Sequence, residues 1–178
     1  MTRLQRLSRG EAVEQGLDFY FDAERGDHVI EFFEKFLRHS KGRFAGKPFT
    51  LLDWQREMLE ELFGWVRVDD ETRRYRMAYI STAKKSGKTT LLAGIGLYLL
   101  TADEEPGAEI YGAASDREQA SLVFKEAANM VRASPFLSKP LEVVDSRRTI
   151  AFKAASSFYR VLPADAFRAE GLNIHGLL

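Results

Sequence analysis

The run from Tyr79 to Ala93, YISTAKKSGKTTLLA, constrains the fold more than any other part of the chain. An apolar strand leads into a small basic loop ending in Gly87-Lys88-Thr89, and a helix starts directly behind it. This is the layout of a phosphate-binding P-loop, and it predicts nucleotide binding. Gly87 lets the backbone come close to phosphate. Loop residues Thr82, Ala83, Lys84, Lys85 and Ser86, with Lys88, Thr89 and Thr90 of the first helical turn, supply the cradle and its orphan N–H donors. Lys88 reaches the terminal phosphates and Thr89 holds magnesium. One position departs from G-x-x-x-x-G-K-[ST]: the first glycine would stand where the chain has Thr82. Lys84 and Lys85 place two further cations beside a polyphosphate, where charge is stabilised most, each as a point charge without the fork of an arginine.

Such a loop needs a sheet to hold it, and the flanking pattern predicts one. Apolar residues between His28 and His39 recur at helical spacing, and Asp53 to Phe63 does the same through Trp54, Met58, Leu59 and Leu62, with Gly64 as its stop. Arg73 to Thr82 alternates and then turns apolar, as an incoming strand would, before an apolar helix from about Lys88 to Leu100. Ala108 to Ala114 reads as a second strand, and the S-x-x-E box Ser115 to Glu118 opens a helix with an apolar stripe through Ala120, Phe124, Ala127 and Val131. Strand, loop, helix, strand and helix in that order open an α/β sheet with right-handed crossovers. Leu141 to Val144, Thr149 to Lys153 and Phe158 to Leu162 then predict an antiparallel meander at the sheet edge, with turns at Asp145-Ser146 and Ser156. The fold class is therefore α/β: a P-loop NTPase-type sheet with flanking helices, incomplete, with an amino-terminal helical segment and a small meander.

Composition excludes some chemistry. The 178 residues contain no cysteine, which removes disulfides and thiolate metal sites. Lys plus Arg and Asp plus Glu number 26 each, so the chain as a whole offers no basic field and any nucleic-acid contact is local. The uncharged run Thr89 to Ala102 is too short to span a bilayer, and no membrane contact or secretory signal is expected. His28, His39 and His175 lack metal-ligand spacing and read as surface or structural residues. Hydrolysis of a nucleotide also needs carboxylates for water and magnesium. Asp69-Asp70-Glu71 reads as a solvated turn and Asp145 as a β-turn aspartate, so neither segment supplies an acidic pair. The chain closes on Asn173 to Leu178, the start of an apolar strand.

Several of these segments together resemble the large subunit of tailed-phage terminases, the motors that package DNA into proheads. The matching residues run through Phe32 to His39, Leu51 to Arg56, Arg73 to Arg76, the AKKSGKTT loop, Ala108 to Tyr111, Ala113 to Ala120, Val131 to Pro135 and Gly171 to Asn173. The resemblance implies a deviant Walker A motif in which the first glycine is often absent, which accounts for Thr82. It implies ATP and Mg2+ as cofactors, Lys88 as phosphate lysine, Thr89 as metal hydroxyl, and Lys84 at the place of a transition-state cation. Gln55, beside Trp54, stands where such proteins read the adenine edge. Residues 1–72 are then an amino-terminal helical segment with the adenine-recognition element, and 73–178 a partial P-loop ATPase core ending before Walker B. Implied partners of the complete protein are double-stranded DNA, the terminase small subunit, the portal and further copies in a ring. The implied location is the host cytoplasm, at the prohead during packaging. The expected Asp-Glu pair and nuclease domain lie beyond Leu178, so the chain reads as a fragment or a truncated product. A non-catalytic nucleotide-binding or assembly-regulating module is the alternative.

Overall fold

The computed structural model describes residues 5–114, 117–162 and 171–178, and of 117–119 the backbone alone. Ser115 and Asp116 of the S-x-x-E box, and the Glu118 side chain, therefore lie outside the described residues. The chain forms two compact units, Met1–Phe32 with Thr50–Ser81, and Phe33–Phe49 with Thr82–Leu178.

The first unit opens with α1 (Arg9–Glu14), whose start is fixed by a capping box. The Glu11 carboxylate accepts the Ser8 hydroxyl and amide at 2.7 and 2.8 Å, and those bonds hold its carboxyl below the usual range. A short antiparallel pair follows, β1 (Phe19–Phe21) against β2 (Trp65–Arg67), with Tyr20 opposite Val66. Between them run α2 (Ala23–Phe36) and α3 (Asp53–Gly64). α2 starts earlier than its apolar spacing predicts because Asp22 caps it: the carboxylate accepts the Arg25 amide at 3.2 Å. Ala12, Tyr20 and Val66 form a small core with Val68 packed on it. Gly64 closes α3 as expected, and a Cβ there would stand 2.7 Å from the Phe21 ring, so the site admits only glycine without movement.

The predicted strand Arg73 to Thr82 is not formed. Arg73 alone bridges to Val66, and the Arg74 amide donates to the Trp65 carbonyl at 2.9 Å. Beyond it Met77 and Tyr79 are 89% and 94% exposed. Alternation along a segment shows which side chains share a face, but a strand needs a neighbouring backbone to bond with. The basic residues that open this segment pack instead on aromatic faces. The Arg74 guanidinium lies 4.4 Å from the Phe19 ring centre and 5.3 Å from Trp65, and Arg73 lies 5.4 Å from Phe63.

The second unit is a mixed α/β layer. It comprises α4 (Lys88–Thr101), β3 (Glu109–Gly112), α5 (Arg117–Ala133), β4 (Leu141–Val144), β5 (Thr149–Phe152), β6 (Ser157–Val161) and β7 (Ile174–Leu177). The sheet order is β4-β5-β6-β3-β7, with β3 parallel to both β6 and β7 and the β4-β5-β6 meander antiparallel at one edge. The meander, both of its turns and the strand behind Asn173 stand where the sequence pattern puts them. Arg148 and Ser156 leave the two turns in the left-handed region. Ile150, Tyr159 and Ile110 lie side by side across three strands and are fully buried. Phe124 of α5 meets the Tyr159 ring edge-on at 6.3 Å.

α4 is apolar all round and buried from Leu91 to Leu100 apart from Leu92, which is half-buried. Its glycines permit that burial. A Cβ on Gly94 would meet the Phe33 ring at 2.4 Å, and one on Gly96 would meet Leu178 at 2.6 Å. His175 of β7 pairs with Asp103 behind α4 at 2.6 Å, and His39 stacks on Phe49 at 4.8 Å, which are the structural roles expected of them. No described helix is long and apolar enough to cross a membrane, and no group of three potential metal ligands occurs among the described residues.

Candidate nucleotide-binding site

The loop from Thr82 to Gly87 makes two left-handed corners, Lys85 at φ 67° and Gly87 at φ 84°. Glycine takes that conformation freely, whereas lysine there costs about 1 kcal/mol, a strain of the kind that functional loops carry. Gly87 is the N-cap of α4 and provides no side-chain cap. Its carbonyl accepts the Leu91 amide at 2.9 Å. The amides of Lys88, Thr89 and Thr90 precede that first helical bond and have no acceptor within the helix. They open onto an exposed loop, so an anion can reach them together with the positive end of the helix.

Two contacts cross the loop. The hydroxyls of Thr82 and Ser86 meet at 2.5 Å, and the Lys88 ammonium donates to the Thr82 carbonyl at 3.1 Å. The first gives a physical account of the missing motif glycine. Thr82 does not merely tolerate the loop's curvature; its side chain closes it. The second places the Lys88 charge across the loop mouth, where phosphate oxygens would lie. Lys84, Lys85 and Thr89 are exposed, and no acidic residue occurs between Glu71 and Asp103. A chain with no net charge thus carries a positive field at this loop. The residues fit a magnesium nucleotide: orphan amides and Lys88 for phosphate, and the Thr89 hydroxyl for the ion.

Gln55 belongs to the first unit and the loop to the second. Its side chain is buried, and its carbonyl oxygen accepts the Leu52 amide at 3.0 Å, which caps α3. Trp54 beside it is partly exposed. The two acidic segments behave as turns. Asp69 pairs with Arg67, Asp70 accepts the Thr72 amide at 3.0 Å and its hydroxyl at 2.7 Å, and Asp145 pairs with Arg132. These bonds hold all three carboxyls below the usual range.

Sequence reasoning missed one charged residue near the loop. Glu126 of α5 is buried and lines a cavity of about 350 Å³ with Thr89, Thr90, Leu122 and the turn His39 to Lys41. A signal was present: Glu126 is three residues past Val123 and four before Met130, so it interrupts the apolar stripe of its own helix.

Comparison with known proteins places the chain among terminases. The terminase large subunit of Enterobacteria phage HK97 is 32% identical over 154 residues, which cover 86% of this chain and 28% of that protein. The crystal structure of the HK97 bacteriophage large terminase matches with a TM-score of 0.69 at 30% identity, over 84% of this chain and 29% of that one. The chain thus spans less than a third of the length of either relative. Residues 53–173 match the family described as terminase large subunit, ATPase domain. From α3 through the phosphate loop to the edge of β7, the chain belongs to the family of terminase large-subunit ATPase domains.

Proposed function

We propose that this chain binds ATP with Mg2+ at the loop Thr82 to Thr90 and is the ATP-binding motor part of a phage DNA-packaging terminase large subunit. In the complete protein it couples hydrolysis to movement of double-stranded DNA into the prohead. The observation that carries the reading is the Lys88 ammonium held across a loop of orphan amides at 3.1 Å from the Thr82 carbonyl. A β/γ-phosphate would take over that ammonium, and ATP bound with magnesium supplies the transferable γ-phosphoryl group. Thr89 would hold the ion and the cation of Lys84 would offset charge developing on the phosphoryl oxygens. Residues 73–178 carry this phosphate site, and residues 1–72 contribute adenine recognition through Gln55. To serve there, the Gln55 side-chain amide must reach the base while its carbonyl stays on Leu52.

Small subunit, portal and further copies in a ring are the partners that family membership suggests, at the prohead in the host cytoplasm. The carboxylates of Asp69, Asp70 and Asp145 are engaged in turns rather than offered to the loop, so a polypeptide of this sequence is expected to bind nucleotide and turn it over poorly. Titration with a fluorescent ATP analogue and Mg2+ tests the reading. Saturable binding weakened more than about tenfold in Lys88→Ala supports it, and equal binding by the variant refutes it. Robust steady-state hydrolysis by the 178 residues would refute the statement about the acids.

A further inference from the structure

Glu126 lies on the core side of α5 with 7% of its surface exposed. A carboxylate taken so far out of water must be paired. Both partners come from one short turn behind α2. The Ser40 hydroxyl donates to Oε1 at 2.6 Å, and the Lys41 ammonium lies 3.2 Å from Oε2. These residues share a single cavity of about 350 Å³ with Thr89 and Thr90, and all of them belong to the second compact unit. Lys41 keeps 70% of its side chain exposed, so its charge is tethered on one side and open on the other.

Two consequences follow from this arrangement. A buried carboxylate beside the phosphate loop would by itself repel a polyphosphate, and Lys41 cancels that charge. The tether also holds a flexible side chain in place before any ligand arrives, which lowers the ordering cost of binding. We propose that Lys41 is a further phosphate-contacting cation of the nucleotide site and that Glu126, together with Ser40, is its positioning residue. This rests on the ATP-binding reading of the loop.

The test is a double-mutant cycle in the full chain, read by titration with fluorescent ATP and ADP analogues in the presence of Mg2+. Lys41→Met weakens ATP-analogue binding by about fivefold or more, and Lys41→Arg, which restores the charge, recovers it to within about threefold. Glu126→Gln keeps an acceptor for Ser40 but releases the ammonium, and it weakens binding by about threefold. In the Lys41→Met background Glu126→Gln causes no further loss and recovers part of the affinity, because Glu126 supports binding only through Lys41 and its unpaired carboxylate repels the polyphosphate. Thermal melting alongside confirms that each variant is folded. Unchanged affinity in Lys41→Met overturns the proposal, as does an undiminished effect of Glu126→Gln when Lys41 is already gone. Lys88→Ala separates the two levels. If it abolishes binding while Lys41→Met does not alter it, only the role of Lys41 fails; if Lys88→Ala also has no effect, the loop reading fails and this proposal falls with it.

Discussion

Replacing Thr82 by glycine would restore the regular spacing of a phosphate loop, yet the geometry says that it should weaken nucleotide binding. In the structure the Thr82 and Ser86 hydroxyls meet at 2.5 Å and close the loop at its base. A net hydrogen bond of this kind contributes about 0.5–1.5 kcal/mol, and the pair is only partly buried, so about 1 kcal/mol is the working figure. Glycine removes that bond and adds backbone freedom that costs about another 0.5–1 kcal/mol to order. The loop would then be ordered at the expense of binding, by about 1.5–2 kcal/mol in total, which is more than tenfold in Kd. Thr82→Val keeps the branched backbone restriction and removes only the hydroxyl, so it should lose about fivefold. Thr82→Ser should stay close to the parent, because the hydroxyl survives. Titration of a fluorescent ATP analogue with Mg2+ against all three variants reads the series directly. Tighter binding by the glycine variant, or no difference between valine and threonine, would show that the hydroxyl contact does not organise the loop.

Three further outcomes are expected. Gly94→Ala places a Cβ within 2.4 Å of the Phe33 ring; overpacking of about 1–3 kcal/mol outweighs about 1 kcal/mol of gained helix propensity, so the urea midpoint should fall. A rise would mean that α4 does not approach Phe33 so closely. Tyr159 is fully buried, its hydroxyl has no partner among the described residues, and burial pushes its phenol well above the usual range. Tyr159→Phe should therefore be neutral or stabilising by about 1 kcal/mol in chemical denaturation, whereas a clear loss would reveal a partner for the hydroxyl. Burial, then the neighbouring Glu109, pushes Tyr111 up to about 12. Because the unfolded phenol ionises near about 10, the folded state binds the proton more tightly, and this contribution is full below that pH and lost as pH rises towards 12. Tyr111→Phe should flatten the alkaline limb of the stability profile, and an unchanged slope would argue against the shift.

Much of the site was legible because its chemistry is local. Gly87, Lys88 and Thr89 announce a helix N-terminus with a cation in place, and the structure turns a left-handed corner at Gly87 and starts α4 at Lys88. The meander was legible for a similar reason, since short alternating runs were separated by turn residues. The pairing of β1 with β2 was not, because three-residue strands carry too little period to detect and lie far apart in the chain. The segment before the loop failed in the opposite sense. Arg73 to Thr82 has the alternation of a strand, but beyond the Arg73 bridge to Val66 it joins no ladder. Gln55 shows a third kind of limit: the family resemblance implies adenine recognition there, and only the structure shows that its carbonyl oxygen also accepts the Leu52 amide at the start of α3.

The sequence by itself determined that the chain is α/β, where α3 to α5 and the meander strands lie, and that one loop carries the residue pattern of a phosphate loop, since residue type at fixed short spacing is written along the chain. Tertiary structure decided what is not local. It put β3 between β6 and β7, made Gly94 and Gly96 contact points rather than weak spots in a helix, and gave Thr82 a partner in Ser86. It also brought Glu126 to Ser40 across 86 residues of sequence, beside the threonines of the loop. A buried carboxylate has to be paired, but nothing in the order of residues says by which distant group; that choice is made only when helices and turns pack.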